Sequence, residues 1–445
     1  FRPGSNFFQR NLEQGFFSLL FLAQAVAAEN LPKPLHLTVL STGAARVRDE
    51  ALPYPEKATA MGPARVAPRE LPGMTCTVLD LVLPVVDKSW RARPQPEALD
   101  AVVDRVLEDL FAQPSNRVAA LRGEKRFEQG FAPLALPENT PLPELQEGAV
   151  CFITGGLGGI GLSVAERLAR EKRARLVLLT RQPLPAPEDW DALLRGAEGH
   201  SAQALRIHAV RRLQSLGAEV MVVAADVCNK MDMQAAVQQA RQRFGTIQLV
   251  VHAAGVVDDG PLLTKTSGAV EEDFAPKVHG LQILHELFPD GSIDQLVLFS
   301  STSTITTPAG QVDYVAANEY LNAYAHSRVG HRTRVQAIDW GIWNEVGMAA
   351  KALATRLGDA APAPRQAISS PLLDEATFDP AGHRLLTAQW RNEERWILDG
   401  HRTASGQALL PGTGYLELAA QALRGNGETG PFAVRDLYFF RPLEV

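Results

Sequence analysis

An α/β fold centred on a doubly wound parallel sheet is what this 445-residue sequence predicts, on three observations. Strand-like apolar runs alternate with helical stretches along most of residues 1–350. One of those runs, VCFIT, leads through glycines into a helical pattern, giving Thr154-Gly155-Gly156-Leu157-Gly158-Gly159-Ile160-Gly161. Five further strand-like runs follow it, enough for a six-stranded sheet between about residues 148 and 350.

The elements before that point come in the same rhythm. FFSLLFLAQAVAAE reads as a helix and LHLTVLS as a buried strand. PEKATAMGPARVAPRE opens on a proline suited to a first helical turn, and CTVLDLVL is a second strand. ALDAVVDRVLEDLFA follows as an amphipathic helix. STGAAR, after the first strand, has a single glycine and cannot cradle phosphates, so residues 1–145 scaffold rather than bind a nucleotide. PENTPLPELQEGA (137–149) reads as a linker, and LVLLTR, EVMVVAADV, QLVVHAAG, QLVLFSS and VQAIDWGIW are the later strands of a unit spanning 146–350. Residues 351–369, rich in alanine and proline at their start, form a second linker, and 370–445 a further segment.

Composition narrows the function classes. The chain is too long for one hydrophobic core, and its 44 basic and 50 acidic residues are spread without blocks. That distribution points away from nucleic acid and from membrane surfaces. Cys76, Cys151 and Cys228 lack metal-ligand spacing and read as reduced core thiols, so no metal and a cytoplasmic location are expected. Arg10 and the run FFSLLFLAQAVAA imitate a secretory signal. The run is too short to span a bilayer and polar sequence precedes it, so the expectation is a buried helix in a fragment of a larger cytosolic protein.

The glycine turn carries the first chemistry. Gly155 permits a tight turn, Gly159 a close approach of backbone to a pyrophosphate, and Gly161 close packing of helix on strand. With Thr154, Leu157, Gly158 and Ile160, these residues place free helix amides against the phosphates of a dinucleotide, as in a Rossmann unit. The second strand ends in Thr180-Arg181 where an NAD site usually carries an acidic residue. A guanidinium there suits a 2′-phosphate, so NADPH is the expected cofactor. Asp226 and Val227 follow the third strand on the adenine side, and Ala254 follows the fourth on the nicotinamide side.

The second chemistry lies in QLVLFSS and QVDYVAANEY. Ser301 ends a strand, and Tyr314 lies thirteen residues later at the start of a helix. The two can converge over the carboxyl edge of the sheet, where the serine polarises a carbonyl and the tyrosine protonates a developing alkoxide. Tyr320 and Tyr324 have no serine at a matching distance and read as packing residues. Asn318 stands one turn after Tyr314, where many tyrosine-based reductases carry a lysine.

TGGLGGIG, HAAGVVDDGPL, FSSTSTITTPAGQVDYVAAN and WGIWNEVGM together resemble the ketoreductase domain of modular polyketide synthases, a branch of the short-chain dehydrogenase/reductases. The resemblance covers residues 1 to about 350 and implies a doubly wound Rossmann catalytic subdomain preceded by a truncated Rossmann-like structural subdomain. It also implies that Lys277 and Asn318 have exchanged the usual places, giving a tetrad of Lys277, Ser301, Tyr314 and Asn318. Val257-Asp258-Asp259 is similar to the Leu-Asp-Asp signature of the B-type branch, with valine for leucine. Thr306 stands eight residues before Tyr314, where an A-type domain has tryptophan. Asp258 and Asp259 therefore imply a D-configured hydroxyl. The implied partners are neighbouring synthase domains and an acyl carrier protein bearing a phosphopantetheine-linked β-ketoacyl chain. HSRVGHRTR (326–334) is a basic stretch read as a solvated helix end rather than a carrier-protein contact.

RWILDGHRTASGQALLPGTGYLELAAQAL resembles the start of a polyketide synthase dehydratase, implying a partial hot-dog (α+β) segment. His401, Gly406 and Pro411 match its signature only if one extra residue is allowed, and Ser405 holds the expected glycine position. His401 is then the dehydratase base, in a segment expected to need its other half from elsewhere. Two further readings stand beside the reductase: a catalytically silent structural ketoreductase, and an ordinary short-chain dehydrogenase for a free alcohol.

Overall fold

The computed structural model describes residues 6–29, 31–84, 96–135, 145–195, 201–341, 343, 366–368, 370–378, 384–391, 396–403, 406–425, 428 and 430–434. The two linkers read at 137–149 and 351–369 fall largely outside these residues, as do Ile342, 344–350, Ser405 and the chain from 435. Two compact units result, residues 1–349 and 350–445.

The first unit opens with helices Phe7–Leu12 (α1) and Ser18–Ala28 (α2), joined by a wide helical turn over Glu13–Phe17. The signal-like run is thus a helix, as expected, with Phe16, Leu20 and Ala23 buried. The Phe16 ring meets Phe274 at 4.9 Å between centroids, so this apolar face is covered by the second half of the unit. Strands Leu35–Thr42 (β1), Met74–Leu81 (β2) and Val118–Arg122 (β3) pair in parallel, and Lys125–Glu128 (β4) returns antiparallel on β3. Sequence reading missed this last hairpin because its strands are short and KRFE is mostly charged. The stretch from Pro55 forms a tight helical turn over Pro55–Ala60 before the helix Met61–Glu70 (α3), and Pro96–Leu110 (α4) connects β2 to β3.

The second half of the unit runs Val150–Thr154 (β5), Gly159–Lys172 (α5), Arg175–Thr180 (β6), Trp190–Arg195 (α6), Ala202–Ser215 (α7), Glu219–Ala224 (β7), Lys230–Phe244 (α8) and Leu249–His252 (β8). It continues through Ser267–Phe274 (α9), Gly280–Leu287 (α10), Gln295–Ser301 (β9), Ser303–Thr306 (α11), Val312–Ser327 (α12) and Arg334–Trp340 (β10). Among the described residues these strands form one sheet in the order β10-β9-β8-β5-β6-β7, every pair parallel. The chain reverses direction across the sheet between β5 and β8, which opens a crevice at their carboxyl ends.

The alternation of β5 divides the core. Val150 and Phe152 face one cluster, Cys151 and Ile153 the other. The second is closed by α5 and α7. The first takes in Leu12, Phe16 and Val66 from the opening subdomain together with Val312, Tyr320 and Leu321 of α12. The two subdomains therefore share a core. Helix α3 packs directly on α12, where Gly62 lies on the backbone of the other helix.

In the second unit, Gln366–Ala367, Glu375–Phe378 and Arg384–Thr387 form an antiparallel sheet, and Gly412–Gly425 is a helix. Leu398, Ala408 and Leu410 are buried among Trp390, Ile397, Tyr415 and Leu418. This is the α+β composition read for the segment.

A methyl group on Gly62 would sit 2.2 Å from the Val312 carbonyl oxygen and 2.7 Å from Ala316 Cβ. Both obstacles belong to a packed helix and cannot swing away, so Gly62→Ala is expected to destabilise the chain by about 1–3 kcal/mol. The check is a lowered denaturant midpoint at unchanged slope.

Candidate active site

Gly155 turns the chain at φ +65°, and a Cβ on it would lie 2.9 Å from the Ala253 carbonyl oxygen. Gly161 packs against the same turn, its Cβ position 2.6 Å from the Gly155 carbonyl oxygen. Gly158 is the helix N-cap and offers no side chain, and the first intrahelical donor is Leu162, to the Gly158 carbonyl at 2.8 Å. The amides of Gly159, Ile160 and Gly161 are therefore left without an intrahelical acceptor. A turn with no room for side chains, opening on free amides at a positive helix end, fits a dinucleotide pyrophosphate.

The flanking residues divide. Thr154 is buried, and its hydroxyl meets His252 Nδ1 at 2.8 Å and accepts from the Ala254 amide at 3.2 Å, tying β5 to β8. Leu157 and Thr180 are half-buried at the rim, and Arg181 is exposed with no hydrogen bond or ion pair among the described residues. Asp226 is exposed and accepts from the Cys228 amide at 2.9 Å, while Val227 is buried against Gly280.

Four residues named from the sequence form a second constellation. Ser301 ends β9, and Tyr314 and Asn318 share one face of α12. Lys277 lies in a wide helical turn, Ala275–His279, between α9 and α10. Lys277 Nζ donates to Asn318 Oδ1 at 2.8 Å and to the Phe299 carbonyl at 2.7 Å, and it stands 5.4 Å from the Tyr314 ring centroid. Asn318 Nδ2 in turn donates to the Tyr314 carbonyl at 2.7 Å. Gly255, after β8, packs on the lysine stem, with a Cβ position 2.9 Å from Lys277 Cε. The lysine thus touches both the turn after β8 and the tyrosine helix. Tyr320 and Tyr324 are buried as expected, the latter's hydroxyl 2.8 Å from His285 Nδ1.

Burial sets the protonation of this group. Lys277 is 4% exposed, and loss of water pulls its ammonium down to about 7 against the opposing charges of Asp273 and Asp339. The Tyr314 phenol is pushed above its ordinary value by burial, while hydrogen bonds with Ser301 and Asn318 work the other way. His252 falls to about 3 through burial and the nearby Lys277 charge, so it is a neutral structural imidazole.

Beside the constellation lies a charged cluster that the sequence did not disclose. Lys265 Nζ pairs with Asp313 at 2.7 Å, both side chains almost fully buried, and also donates to the Asp258 carbonyl. Asp273, 1% exposed, is pushed up to about 7, by burial first and then by Asp313. Asp259 accepts from Gln311 Nε2 at 2.9 Å, so the Asp258-Asp259 loop hangs beside the start of α12. Thr306 is exposed at the end of α11. Only the unusual position of Lys265 in the apolar run LLTK could have signalled burial.

In the second unit His401 is exposed, with Nδ1 2.9 Å from the Ile397 carbonyl. A carbonyl only accepts, so Nδ1 carries the proton and Nε2 is left available. Gly406 has φ +87° in the turn after it, and the Leu409 amide donates to the His401 carbonyl at 2.8 Å. Among the described residues no cluster suited to a metal ion is found, and no helix is long and apolar enough to cross a membrane.

A parallel doubly wound sheet with this glycine turn and a serine–tyrosine pair at its carboxyl edge defines a Rossmann-type short-chain dehydrogenase/reductase fold. Residues 149–345 match the KR domain family, and residues 370–445 the polyketide synthase dehydratase domain family. Among sequence relatives, a phenolphthiocerol/phthiocerol polyketide synthase polypeptide of Mycobacterium tuberculosis (strain CDC 1551 / Oshkosh) is 35% identical over 274 residues, 59% of this chain and 14% of that protein. The 6-methylsalicylic acid synthase of Aspergillus terreus (strain NIH 2624 / FGSC A1156) is 35% identical over 235 residues, 53% of this chain and 13% of the synthase. An A1-type ketoreductase structure matches with TM-score 0.59 and 30% identity over 76% of this chain and 64% of its own. A structure of A-type ketoreductases from a modular polyketide synthase gives 0.60 and 29% over 77% and 65%. The chain thus carries a ketoreductase domain followed by a polyketide synthase dehydratase segment, is similar to parts of polyketide synthases, and spans a small part of the curated relatives it matches. Domains of this family work with a nicotinamide cofactor.

Folding takes a lysine from its ordinary value to about 7, so between those values the unfolded chain binds more protons and stability rises with pH. Relative to Lys277→Met, the wild type is expected to gain unfolding free energy from about pH 7 to about pH 9, and to show a flat difference below that window. Chemical denaturation of both proteins across this range is the check.

Proposed function

We propose that the first unit reduces a β-ketoacyl thioester, carried by phosphopantetheine on an acyl carrier protein, to the D-3-hydroxyacyl thioester at the expense of NADPH. The observation that carries this reading is the single hydrogen-bonded chain from Lys277 through Asn318 to the Tyr314 turn, set between the glycine turn and Ser301. Bound NADPH supplies the hydride to the ketone carbon. The Ser301 hydroxyl hydrogen-bonds the ketone oxygen, and the Tyr314 hydroxyl gives it the proton as negative charge develops. Lys277, protonated, stabilises the phenolate left behind, and Asn318 fixes both the ammonium and the tyrosine turn. The lysine's pull toward neutrality in its buried site sets an alkaline limit on this role.

Support for NADPH comes from Arg181, exposed at the end of β6 and unpaired among the described residues. The adenine side is given to Asp226 and Val227, the phosphates to Gly155, Leu157, Gly158, Gly159, Ile160 and Gly161, and the nicotinamide side to Ala254, with Thr154 holding the two strands together. The D configuration rests on Asp258 and Asp259 and on the absence of tryptophan at Thr306. Carrier protein and neighbouring synthase domains are the partners this reading requires. We assign no step to His401, since its second catalytic carboxylate belongs to the other half of a dehydratase fold.

A diffusible 3-oxoacyl thioester is expected to be reduced with NADPH to a predominantly D alcohol, and Tyr314→Phe to lose at least about a thousandfold in kcat while binding NADPH normally. Turnover retained in that variant would remove Tyr314 from the mechanism. NADPH binding without any wild-type turnover would instead indicate a scaffolding domain. Arg181→Ala is expected to weaken NADPH binding about tenfold with little change for NADH, measured by fluorescence titration.

A further inference from the structure

The Asp258-Asp259 loop and the start of α12 are held from behind by the opening subdomain. Glu70, the last residue of α3 and 4% exposed, spends each carboxylate oxygen on a different loop of the catalytic half. Oε2 accepts from the Leu262 amide at 2.7 Å, just after the aspartate pair, and Oε1 from the Gly310 amide at 2.8 Å, just before α12. The two loops are also joined directly, Gly260 N–H to the Gly310 carbonyl at 2.9 Å. Gln24 of α2 donates to the Leu262 and Lys265 carbonyls at 2.9 and 3.0 Å. Arg65, one turn earlier on α3, donates to the Thr304 carbonyl at 2.5 Å and to Glu319 of α12 at 2.8 Å.

Nothing local in the sequence holds Leu262 and Gly310 at this separation: they lie 48 residues apart in a segment that crosses from α9 to α11. A buried carboxylate accepting two amides fixes both at once, and removing it strands two donors, Leu262 buried and Gly310 half-buried. We propose that Glu70 is a positioning residue of the reductase, a bidentate clamp from the opening subdomain that sets the spacing between the Asp258-Asp259 loop and Tyr314, and thereby the face of the ketone presented. This rests on the reductase reading above. Glu70 does not touch the reacting atoms. It acts through the amides of Leu262 and Gly310.

The test compares wild type with Glu70→Gln and Glu70→Ala in the full chain. The glutamine keeps the shape and one acceptor but turns an NH2 toward the second amide, and it stands in should the alanine variant not fold. Hydrogen exchange at Leu262 and Gly310 is expected to quicken at least about tenfold in either variant. With a diffusible 3-oxoacyl thioester, KM is expected to rise about tenfold and the excess of one alcohol over its mirror image to fall, while NADPH affinity is unchanged. Exchange unchanged at both amides overturns the clamp. A loss of activity in proportion to folded protein, with product ratio and KM unchanged, overturns the positioning role. A wild type that reduces no thioester sinks the reductase reading, and the exchange comparison still decides the clamp.

Discussion

Helix α12 is enclosed on nearly every side, and the rest of the first unit is arranged to enclose it. Val312, Val315, Ala316, Ala317 and Leu321 are all fully buried, and so is the amide of Asn318. A surface helix would bury one apolar stripe, whereas this one is buried almost all round, Asp313, Asn318 and Glu319 included. β9 and β10 cover one flank, α9 another, and α3 with the turn before it a third. The alanines and Gly62 matter because they let backbones approach closely. With α12 immobilised in this way, Tyr314 and Asn318 hold fixed positions over the sheet edge without relying on their own flexible side chains.

Electrostatics follow from the same enclosure. Lys277 is buried with no carboxylate in hydrogen-bond contact among the described residues, held by the dipoles of Asn318 and the Phe299 carbonyl. Its charge is consequently costly, and its proton loosely held. Nearby, Lys265 and Asp313 show the opposite solution, a buried ion pair with direct contact. One lysine is held by neutral dipoles and the other by a carboxylate. Lys265, through Asp313 and the Asp258 carbonyl, ties the loop after β8 to α12.

Much of this was legible in the sequence because it depends on local pattern. Strand runs, the glycine turn and the spacing from Ser301 to Tyr314 are short-range features, and the six strands of the main sheet fall where the apolar runs are. Lys277 and Asn318 were reached through family resemblance, since 41 residues separate them and no periodicity links them. Glu70, Arg65 and Gln24 were not legible at all. Each sits in a stretch that reads as ordinary helix, and each meets a partner well over a hundred residues away. The β3–β4 hairpin escaped for a different reason, its short polar strands lacking alternation.

The shared core has a consequence for how such chains are recombined. The linker read near residue 140 looks like a natural seam, with a sheet on either side of it. A crossover there would join one chain's Gly62, Arg65 and Glu70 to another chain's α12 and loops, breaking contacts that are matched at the level of single backbone atoms. The heritable unit is therefore the pair of subdomains together. An exchange that begins ahead of α1 would carry the enclosure along with the helix it encloses.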